Sequence, residues 1–559
     1  MGAAAAIEVL DVTMALPEVE RDWWRGAVIY QIYPRSFQDS TGDGIGDLRG
    51  IVGRLPHIAS LGADAIWISP FFRSPMKDYG YDVSDYCDVD PMFGTLADFD
   101  DVIAEAHRLG LKVMIDLVIS HTSEEHPWFR ESRSSRTNAK ADWYVWADSR
   151  GDGSPPNNWL SIFGGSAWQW DARRRQYFMH NFLAEQPDLN FHNAEVQDAV
   201  LAASRFWLER GVDGFRLDTI NFYFHSLGLE DNPPLPEDQR NNSIAPTVNP
   251  YNYQDHLYDK SRPENLAFLA RFRALLDEYG AASVGEVGDA QRGLEIVAAY
   301  TAGETGVQMC YAFDFLAPDK IRAAKVRSVI ERFGEVAPDG WSCWAFSNHD
   351  VERHASRWTA DEADPTAFLK VTSALLMCLR GSVCLYQGEE LGLGEADLAY
   401  EDLRDPYGIR FWPEFRGRDG CRTPMVWDGT SPAAGFAQVR PWLPVPPAHL
   451  PLSVEAQAGD PDSMLEHYRR MLAFRRDHPV LAKGEIAFLD AQGDVCAFER
   501  RQGNERLVCV FNLGSRAASL TLPQGLSPVS VPGHGLGGGR PAGDTIELEA
   551  YGAWIGRLA

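Results

Sequence analysis

Short apolar stretches alternate with amphipathic segments through the first three-quarters of the chain. Eight stretches have the pattern of buried strands, and they begin near residues 28, 65, 112, 214, 283, 311, 341 and 383. Segments such as 96–111 carry apolar residues at helical spacing and have a glycine near their end, which is typical of an α-helix. Continuous apolar strands that alternate with helices indicate a parallel sheet covered by helices. We therefore predict an α/β fold, a (β/α)8 TIM barrel.

Eight such units spread over roughly 370 residues exceed the usual barrel length of about 250 residues, so the chain must contain insertions. The longest insertion, 121–190, is rich in Trp, Asn, Gly and Pro and has no long helical periodicity. Near residue 482 the pattern changes to short alternating strands, which favours an antiparallel β-sandwich. We expect a catalytic barrel over 24–120 and 191–480, an inserted subdomain after strand three over 121–190, and a C-terminal β-sandwich domain over 481–559.

The charge balance argues against two classes of partner. The chain has 559 residues, 45% of them hydrophobic, and a formal net charge of −27. Such an acidic protein is repelled by phosphate backbones and anionic lipids, so we expect no nucleic-acid or membrane partner. The first residues lack a basic signal-peptide region, and no apolar run reaches the ~18 residues of a membrane helix. The eight cysteines show neither metal-site nor disulfide spacing. We expect a cytoplasmic monomer or small homo-oligomer.

Charged residues cluster where the predicted strands end. In a TIM barrel the carboxyl ends of the strands carry the active site. Those ends here hold Asp116, His121, Arg216, Asp218, Glu286, His349 and Asp350. A single acid at a strand end is most often a helix cap, but several acids at one sheet edge raise one another's pKa and cost stability. Their clustering therefore indicates function.

Two of these acids fit the chemistry of glycosidic bond cleavage, which requires two carboxyl groups. Asp218 lies two residues after Arg216 on one strand, so both side chains face the same way. We expect the guanidinium to keep Asp218 ionised at neutral pH, as a nucleophile must be. Glu286 lies in a less charged stretch, which suits the raised pKa of a general acid. Asp350, beside His349, is placed to hold sugar hydroxyls.

Five segments resemble the signature regions of the α-amylase superfamily (glycoside hydrolase family 13), in particular of bacterial α-glucosidases related to oligo-1,6-glucosidase. The segments are 116–121, 186–190, 211–218, 285–287 and 346–350. The resemblance implies that Asp218 is the nucleophile, Glu286 the general acid/base and Asp350 the transition-state stabiliser. It also implies that three residues line the −1 sugar subsite: His121, Arg216 and His349. Ser120 stands where the family usually has an Asn that helps bind calcium in α-amylases, so the resemblance does not support that calcium site.

Two further segments resemble those of exo-acting members. The segment 79–82 supplies Tyr81 to stack on the −1 sugar ring and Asp82 for its far hydroxyls. The segment 417–424 supplies Arg418 and Arg422, and the resemblance suggests that Arg422 pairs with Asp82 to close the pocket. The alternative is a surface ion pair worth ~0–1 kcal/mol. Phe163 is a weaker expectation for the wall of the site.

The segment 39–47 places oxygen donors at alternate positions. These donors are Asp39, Thr41, Asp43, the carbonyl of Ile45, and Asp47. Alternation with glycines lets a loop wrap a hard cation, although Gly50 replaces the glutamate of an EF-hand. We expect a structural Ca²⁺ or Mg²⁺ here and no organic cofactor. The alternative is an Asp/Gly turn without an ion.

Together these patterns predict a retaining exo-acting α-glucosidase that releases α-glucose from the non-reducing end of short α-glucosides. Thr219 follows the nucleophile, and in oligo-1,6-glucosidase relatives threonine there accompanies α-1,4 (maltose-type) preference. We expect its hydroxyl to contact the +1 sugar or its water. One alternative is a glucosyl-transferring or isomerising relative, such as a trehalose synthase or a sucrose-active enzyme. A remote alternative, a non-catalytic transporter heavy chain, is disfavoured because all three acids are present.

Overall fold

A computed structural model describes residues 22–522 and 527–558 of the chain. In the first of these ranges, eight strands alternate with eight longer helices. The strands are β1 Val28–Ile32, β2 Ala65–Ile68, β3 Lys112–Leu117, β4 Gly214–Leu217, β5 Ala282–Val287, β6 Met309–Ala312, β7 Cys343–Ala345 and β8 Ser382–Tyr386. The helices are α1 Leu48–Leu61, α2 Leu96–Arg108, α3 Ala194–Glu209, α4 Asn265–Tyr279, α5 Gly293–Thr301, α6 Ala323–Val336, α7 Pro365–Cys378 and α8 Met464–Asp477. Shorter helices cover Pro127–Ser132, His354–Arg357, Pro406–Phe411, Val454–Gln457 and Pro479–Lys483.

The eight strands form one parallel sheet in the order β6-β5-β4-β3-β2-β1-β8-β7. A parallel bridge between Cys310 and Ser342 links β6 to the residue before β7, which nearly closes the sheet into a barrel. Most strand residues are buried, as expected when a sheet has side chains packed inside and helices outside. The predicted TIM barrel is confirmed.

The helices begin and end at residues suited to those positions. The Asp47 side chain accepts from the amide of Gly50 at the start of α1, and α1 ends at Gly62, whose φ of 98° is left-handed. Thr95 and Asp98 form a reciprocal capping box at the start of α2. These caps fix where each helix starts relative to the preceding strand and loop.

A small antiparallel sheet lies in the insertion between β3 and α3. Its strands are Trp146–Ala147, Gln176–Met179 and Trp168–Asp171, in that spatial order. Bridges between His121 and Asp188 and between Tyr144 and Leu189 draw the two ends of the insertion together. The insertion therefore returns to the end of β3, beside the carboxyl ends of the barrel strands.

The C-terminal strands form two antiparallel sheets. They are β9 Glu485–Phe488, β10 Val495–Gln502, β11 Glu505–Asn512, β12 Ala518–Thr521, β13 Pro528–Ser530, β14 Gly539–Ala542, β15 Thr545–Leu548 and β16 Ala553–Leu558. The sheet orders are β9-β10-β11-β16-β13 and β12-β15-β14. Apolar residues such as Val510 and Ile546 pack between the two sheets, so the predicted antiparallel C-terminal domain is confirmed. Phe498 and Phe511 belong instead to the core shared with the barrel.

Two buried arginines lie near the junction of the barrel with this domain, and both donate to backbone carbonyls. Arg475, on α8, donates to the carbonyl oxygens of Met377 and Gly381 at 2.6 Å, and to that of Gly26 at 3.2 Å. Arg500, on β10, donates to the carbonyl of Cys378 on barrel helix α7 and, at 2.7 Å, to the carbonyl of Gly484. The barrel and the C-terminal sheet thus share both apolar packing and buried hydrogen bonds.

No helix within residues 22–522 and 527–558 is both long enough and apolar enough to cross a membrane.

Candidate active site

A cavity of about 740 Å³ opens at the carboxyl ends of the barrel strands. Its wall contains nine of the residues that bear on the chemistry: Asp78, Tyr81, His121, Phe163, Asp218, Thr219, Glu286, Asp350 and Arg418. The sequence predicted eight of these nine, and it missed Asp78. A cavity of this size, with convergent charged groups, has the properties of a ligand site.

Arg216 holds the acids together from within the barrel. Its side chain is fully buried, and its Nη1 donates to Asp116 Oδ1 at 2.9 Å and to Asp218 Oδ1 at 2.6 Å. Its Nη2 donates to Glu286 Oε2 at 2.6 Å and to Tyr311 Oη at 3.0 Å. Three carboxylates therefore share one guanidinium, and Asp218 and Glu286 lie within the span of a single arginine head group.

Burial dominates the electrostatics of the two acids. Burial raises the pKa of Asp218 to about 7 and the pKa of Glu286 to about 8, while Arg216 opposes both shifts. The expectation that Arg216 keeps Asp218 ionised at neutral pH is too strong, because burial outweighs a guanidinium that is divided among three carboxylates. The raised pKa expected for Glu286 agrees with the structure, and Asp218 remains the more acidic of the two.

Asp350 has the opposite electrostatic environment. Burial alone would raise its pKa, but His349 and the guanidiniums of Arg418 and Arg422 outweigh burial and hold the pKa of Asp350 well below its usual range. Arg422 Nη2 lies 2.9 Å and Arg418 Nη1 3.2 Å from Asp350 Oδ1. Asp350 is therefore a fixed negative charge opposite two acids that titrate near neutrality.

Tyr81 and His349 form a stacked pair beside this charge, and His121 lies against the Tyr81 backbone. The Tyr81 ring stacks on His349 at 5.4 Å, and its hydroxyl donates to Asp116 Oδ2 at 3.1 Å. His349 Nδ1 lies 2.7 Å from Gln31 Nε2. His349 and Arg216 were expected to line the sugar subsite. They lie fully buried behind the cavity wall, where they support Tyr81, Asp218 and Asp350, whereas His121 does reach the cavity.

The ion pair at the predicted closed end involves different residues from those expected. Arg418 Nη2 lies 2.8 Å from Asp78 Oδ1 and 2.8 Å from Asp405 Oδ1. Arg422 donates to Asp350 and, at 2.7 Å, to the carbonyl of His349. The predicted pair of Arg422 with Asp82 is wrong.

Asp82 organises its own loop instead. It accepts hydrogen bonds from the Ser74 hydroxyl at 2.9 Å and from the amides of Lys77 and Asp78 at 2.9 and 3.0 Å. Positive φ angles at Tyr79 and Gly80, of 51° and 106°, reverse the chain. The reversal turns Asp82 back into the loop and leaves Asp78 facing the cavity.

Phe163 and Thr219 complete the described wall. Phe163 stacks on Tyr407 at 4.7 Å, and the Arg418 guanidinium lies 5.0 Å from its ring centre. Thr219 faces the cavity, but its Oγ1 lies 3.1 Å from Ser120 Oγ and 3.3 Å from Asp218 Oδ2. The hydroxyl thus has protein partners in this structure, and its contact with the +1 sugar stays a prediction.

The loop 39–47 directs its carboxylates at its own backbone. Asp39 accepts from the amides of Thr41, Gly42 and Gly44 at 2.6–2.9 Å. Asp47 accepts from the amide and hydroxyl of Ser40 at 2.7 Å. The described residues contain no grouping of three or more acids, histidines or cysteines placed to hold a metal ion. The metal site formed by Asp39, Thr41, Asp43, Ile45 and Asp47 stays a prediction, and no step of catalysis is assigned to it.

Known proteins resemble this chain along nearly its whole length. Residues 31–484 match the family model of the alpha-amylase catalytic domain. The chain is 64% identical over 551 residues to a probable alpha-glucosidase of Rhizobium meliloti (strain 1021), covering 98% of this chain and 99% of that one. It is 36% identical to an oligo-1,6-glucosidase of Heyndrickxia coagulans, covering 90% and 94%. The crystal structure of the alpha-glucosyl transfer enzyme XgtA matches with a TM-score of 0.93 at 54% identity, covering 96% and 99%.

The barrel, the strand-end carboxylates and these matches define a glycoside hydrolase. The chain belongs to the alpha-amylase family, in the group that contains α-glucosidases and oligo-1,6-glucosidases.

Proposed function

We propose that this protein is a retaining, exo-acting α-glucosidase that releases α-glucose from the non-reducing end of short α-glucosides. The observation that carries the proposal is one cavity whose wall contains Asp218, Glu286 and the buried ion pair of Asp78 with Arg418. The two acids supply the chemistry of glycosidic cleavage, and the ion pair supplies a polar closed end for a terminal sugar. The similarity to a probable alpha-glucosidase supports the same assignment.

The proposed reaction has two displacements. Asp218 attacks the anomeric carbon while Glu286 donates its proton to the leaving oxygen, and a covalent glucosyl ester forms on Asp218. Glu286, now ionised, then takes a proton from water as that water attacks the anomeric carbon, which breaks the bond to Asp218 and frees its carboxylate. Asp350, held ionised by Arg418 and Arg422, stabilises the positive charge that develops on the sugar in each transition state. A carboxyl separation of ~5–5.5 Å between Asp218 and Glu286 is expected for this mechanism.

Exo-action follows in this proposal from the ion pair. Asp78 and Arg418 are buried, and Arg418 is also fixed by Asp405. Their remaining hydrogen-bonding capacity suits the hydroxyls of a terminal glucose, whereas an internal sugar would need a second exit from the cavity. We therefore expect no useful degradation of soluble starch.

The decisive experiment follows products by NMR on maltose, isomaltose, sucrose, an aryl α-glucoside and soluble starch. Early appearance of α-glucose from the short substrates supports retention and exo-action. Initial release of β-glucose would overturn the mechanism, and internal cleavage of starch would overturn the closed pocket.

We further propose a preference for α-1,4 over α-1,6 linkages. Thr219 lies in the cavity wall directly after Asp218, so its size and shape bear on how the leaving sugar is seated. One hydrogen bond between this side chain and the leaving sugar would be worth roughly 0.5–1.5 kcal/mol, which corresponds to about a tenfold ratio. Higher kcat/KM on maltose than on isomaltose is the expected result. A preference for isomaltose would contradict the linkage proposal and leave the α-glucosidase assignment intact.

A second candidate function is glucosyl transfer to a sugar or alcohol, with isomerising relatives as a variant of it. The 54% identity to an alpha-glucosyl transfer enzyme favours keeping this candidate. Both functions share the glucosyl ester and differ in whether water or another hydroxyl attacks it. Products at high substrate concentration separate them, since transfer yields oligosaccharides or glucosides in place of glucose.

Two expectations outside the site also stand as proposals. We propose a structural Ca²⁺ or Mg²⁺ in the loop 39–47, supported only by the oxygen-rich donor set. Metal analysis of the dialysed protein tests it, together with the change in Tm on chelation; absence of metal and an unchanged Tm would reject it.

We also propose a cytoplasmic monomer or small homo-oligomer, supported by eight cysteines without disulfide partners in the described ranges.

A further inference from the structure

Ser120 and Thr219 lie after neighbouring strands and meet beside the proposed nucleophile. Strands β3 and β4 pair in parallel, and Leu117 lies opposite Leu217. Thr219 adopts a φ of 39°, a left-handed conformation that is uncommon for a β-branched residue. This conformation is compatible with the observed position of its hydroxyl, between Ser120 Oγ at 3.1 Å and Asp218 Oδ2 at 3.3 Å.

The direction of these hydrogen bonds follows from the neighbouring histidine. His121 Nε2 lies 3.0 Å from the carbonyl oxygen of Tyr81, which can only accept, so Nε2 carries the proton. The Gln186 amide nitrogen lies 3.2 Å from both Asp78 Oδ2 and His121 Nε2; it donates to Asp78, and the shorter contact of Nε2 with the Tyr81 carbonyl sets the tautomer of His121. Burial lowers the pKa of His121 to about 4, which keeps the ring neutral. Its Nδ1 must therefore accept, and the Ser120 hydroxyl donates to it at 2.9 Å.

Counting protons decides what Thr219 does. Ser120 has one hydroxyl proton, and it is used on His121. The Ser120 oxygen can then only accept from Thr219, whose own single proton is used in turn. The separation from Thr219 Oγ1 to Asp218 Oδ2, 3.3 Å, is also long for a hydroxyl donating to a carboxylate, for which 2.5–2.7 Å is usual.

We infer that Ser120 is a positioning residue that draws the Thr219 proton away from Asp218 Oδ2 and leaves that oxygen free to attack the anomeric carbon. Asp218 Oδ1 is held by Arg216, so Oδ2 is the oxygen available to form the new bond. In the attack, the bond from Oδ2 to the anomeric carbon forms, the glycosidic bond breaks, and the leaving oxygen takes the proton of Glu286. The inference rests on the proposed function, because it requires Asp218 to be the nucleophile.

The surroundings of Asp218 offer no competing donor to Oδ2 among the residues that the structure describes. Arg216 on the same strand donates to Oδ1, and Tyr223 donates to the backbone carbonyl of Asp218 at 3.5 Å. The other charged or titratable groups that face Asp218 are Asp116 from β3, Glu286 from β5, Asp350 after β7, and Tyr81 from the loop after β2. The orientation of the Thr219 hydroxyl therefore decides whether Asp218 Oδ2 accepts a hydrogen bond.

The test removes the proton acceptor of Thr219. In Ser120→Ala, Thr219 is free to donate to Oδ2, which stabilises the ionised carboxylate and lowers its nucleophilicity. We expect the acid limb of kcat/KM against pH to move down by about one unit and kcat/KM on an aryl α-glucoside to fall about tenfold. Adding Thr219→Val to Ser120→Ala removes the freed donor and should return the acid limb to its original position. The matched control is Ser123→Ala, which removes a buried hydroxyl that takes no part in the hydrogen bonds among His121, Ser120 and Thr219.

If Ser120 had a purely structural role, adding Thr219→Val to Ser120→Ala would lower activity further instead of restoring the acid limb. A double variant no better than Ser120→Ala, or an unmoved acid limb in Ser120→Ala, would overturn the inference. If Ser120→Ala does not fold, Thr219→Val alone provides an independent test. We expect the acid limb of Thr219→Val to stay where it is in the unmodified enzyme. An upward shift would show that Thr219 donates to Asp218 in the unmodified enzyme and would overturn the inference. Failure of the proposed function is distinguishable, because the unmodified enzyme would then lack retaining α-glucosidase activity.

Discussion

The pair of acids on Arg216 sets the pH range in which the enzyme works. The proposed mechanism requires Asp218 ionised and Glu286 protonated, and burial raises the pKa values of the two groups to about 7 and about 8. The rate should rise as the pair loses its first proton and fall as it loses the second. We predict a bell-shaped profile of kcat/KM with its maximum between pH 7 and 8, measured on an aryl α-glucoside. A maximum below pH 5 would contradict these environments.

As the proposed general acid, Glu286 should matter most for substrates with a poor leaving group. In Glu286→Gln the amide keeps the size of the side chain and loses the proton that the leaving oxygen requires. We predict a loss of at least a hundredfold in kcat/KM on maltose, within the usual range for general acid catalysis. The loss on an aryl glucoside with an acidic phenol should be much smaller, because that phenolate leaves without protonation. Equal losses on both substrates would remove Glu286 from the acid role.

The strand-end acids were predictable because each follows an apolar strand, and a parallel barrel brings those ends together. The ion pair of Asp78 with Arg418 could not be predicted from the sequence. Asp78 and Asp82 lie in one short motif with similar chemistry, and the choice between them depends on the backbone reversal at Tyr79 and Gly80. It depends also on where the loop carrying Arg418 approaches, a long-range contact that periodicity does not encode.

At the scale of elements, the loop after β2 carries two aspartates with separate tasks. Asp78 faces the cavity, and Asp82 holds the loop through three hydrogen bonds. We predict that Asp78→Asn lowers kcat/KM on maltose about a hundredfold with little change in Tm, since Arg418 keeps Asp405 as a partner. Asp82→Asn should lower Tm more than Asp78→Asn and reduce kcat/KM less. The reverse ranking in maltose kinetics would restore Asp82 as the sugar-binding acid.

Strand positions were predicted more closely than loop structure. Buried strands are recognisable in the sequence as apolar runs, and the observed starts of β1 to β4 coincide with the expected residues. β7 covers only Cys343–Ala345 of an apolar run that begins at Trp341 and continues to Phe346. Apolarity there reflects burial beyond the sheet, because Phe346 packs against Trp358 at 4.8 Å. An apolar run therefore locates a buried segment but not the residues that pair in the sheet.

At the scale of the whole molecule, buried acids make the free energy of unfolding depend on pH. Burial raises the pKa of Glu389 to about 8 from an ordinary value of 4.5. The folded state therefore binds more protons than the unfolded state between about pH 4.5 and pH 8, and stability falls as pH rises through that window. We predict a lower Tm at pH 8 than at pH 5. Glu389→Gln has no ionisable group at this position, so the fall in Tm from pH 5 to pH 8 should be shallower in that variant.

The matched control for that measurement is Glu335→Gln, an exposed glutamate on α6. Its pH dependence of Tm should equal that of the unmodified protein. If Glu389→Gln and Glu335→Gln gave the same slope, Glu389 would not be a source of the pH dependence.

The pairing of β1 with β8 has a consequence for how the chain is made. Val28 pairs with Val383, so the first strand has one of its two neighbours some 355 residues away. At the usual ribosomal speed of 5–20 residues per second, that neighbour emerges roughly 20–70 s after β1 does. During that interval β1 presents an unpaired apolar edge, which is the kind of surface that invites aggregation. Arg475, which donates to the carbonyl of Gly26 just before β1, arrives later still. Nascent chains of this enzyme therefore depend on protection of that edge until roughly two-thirds of the polypeptide has been synthesised.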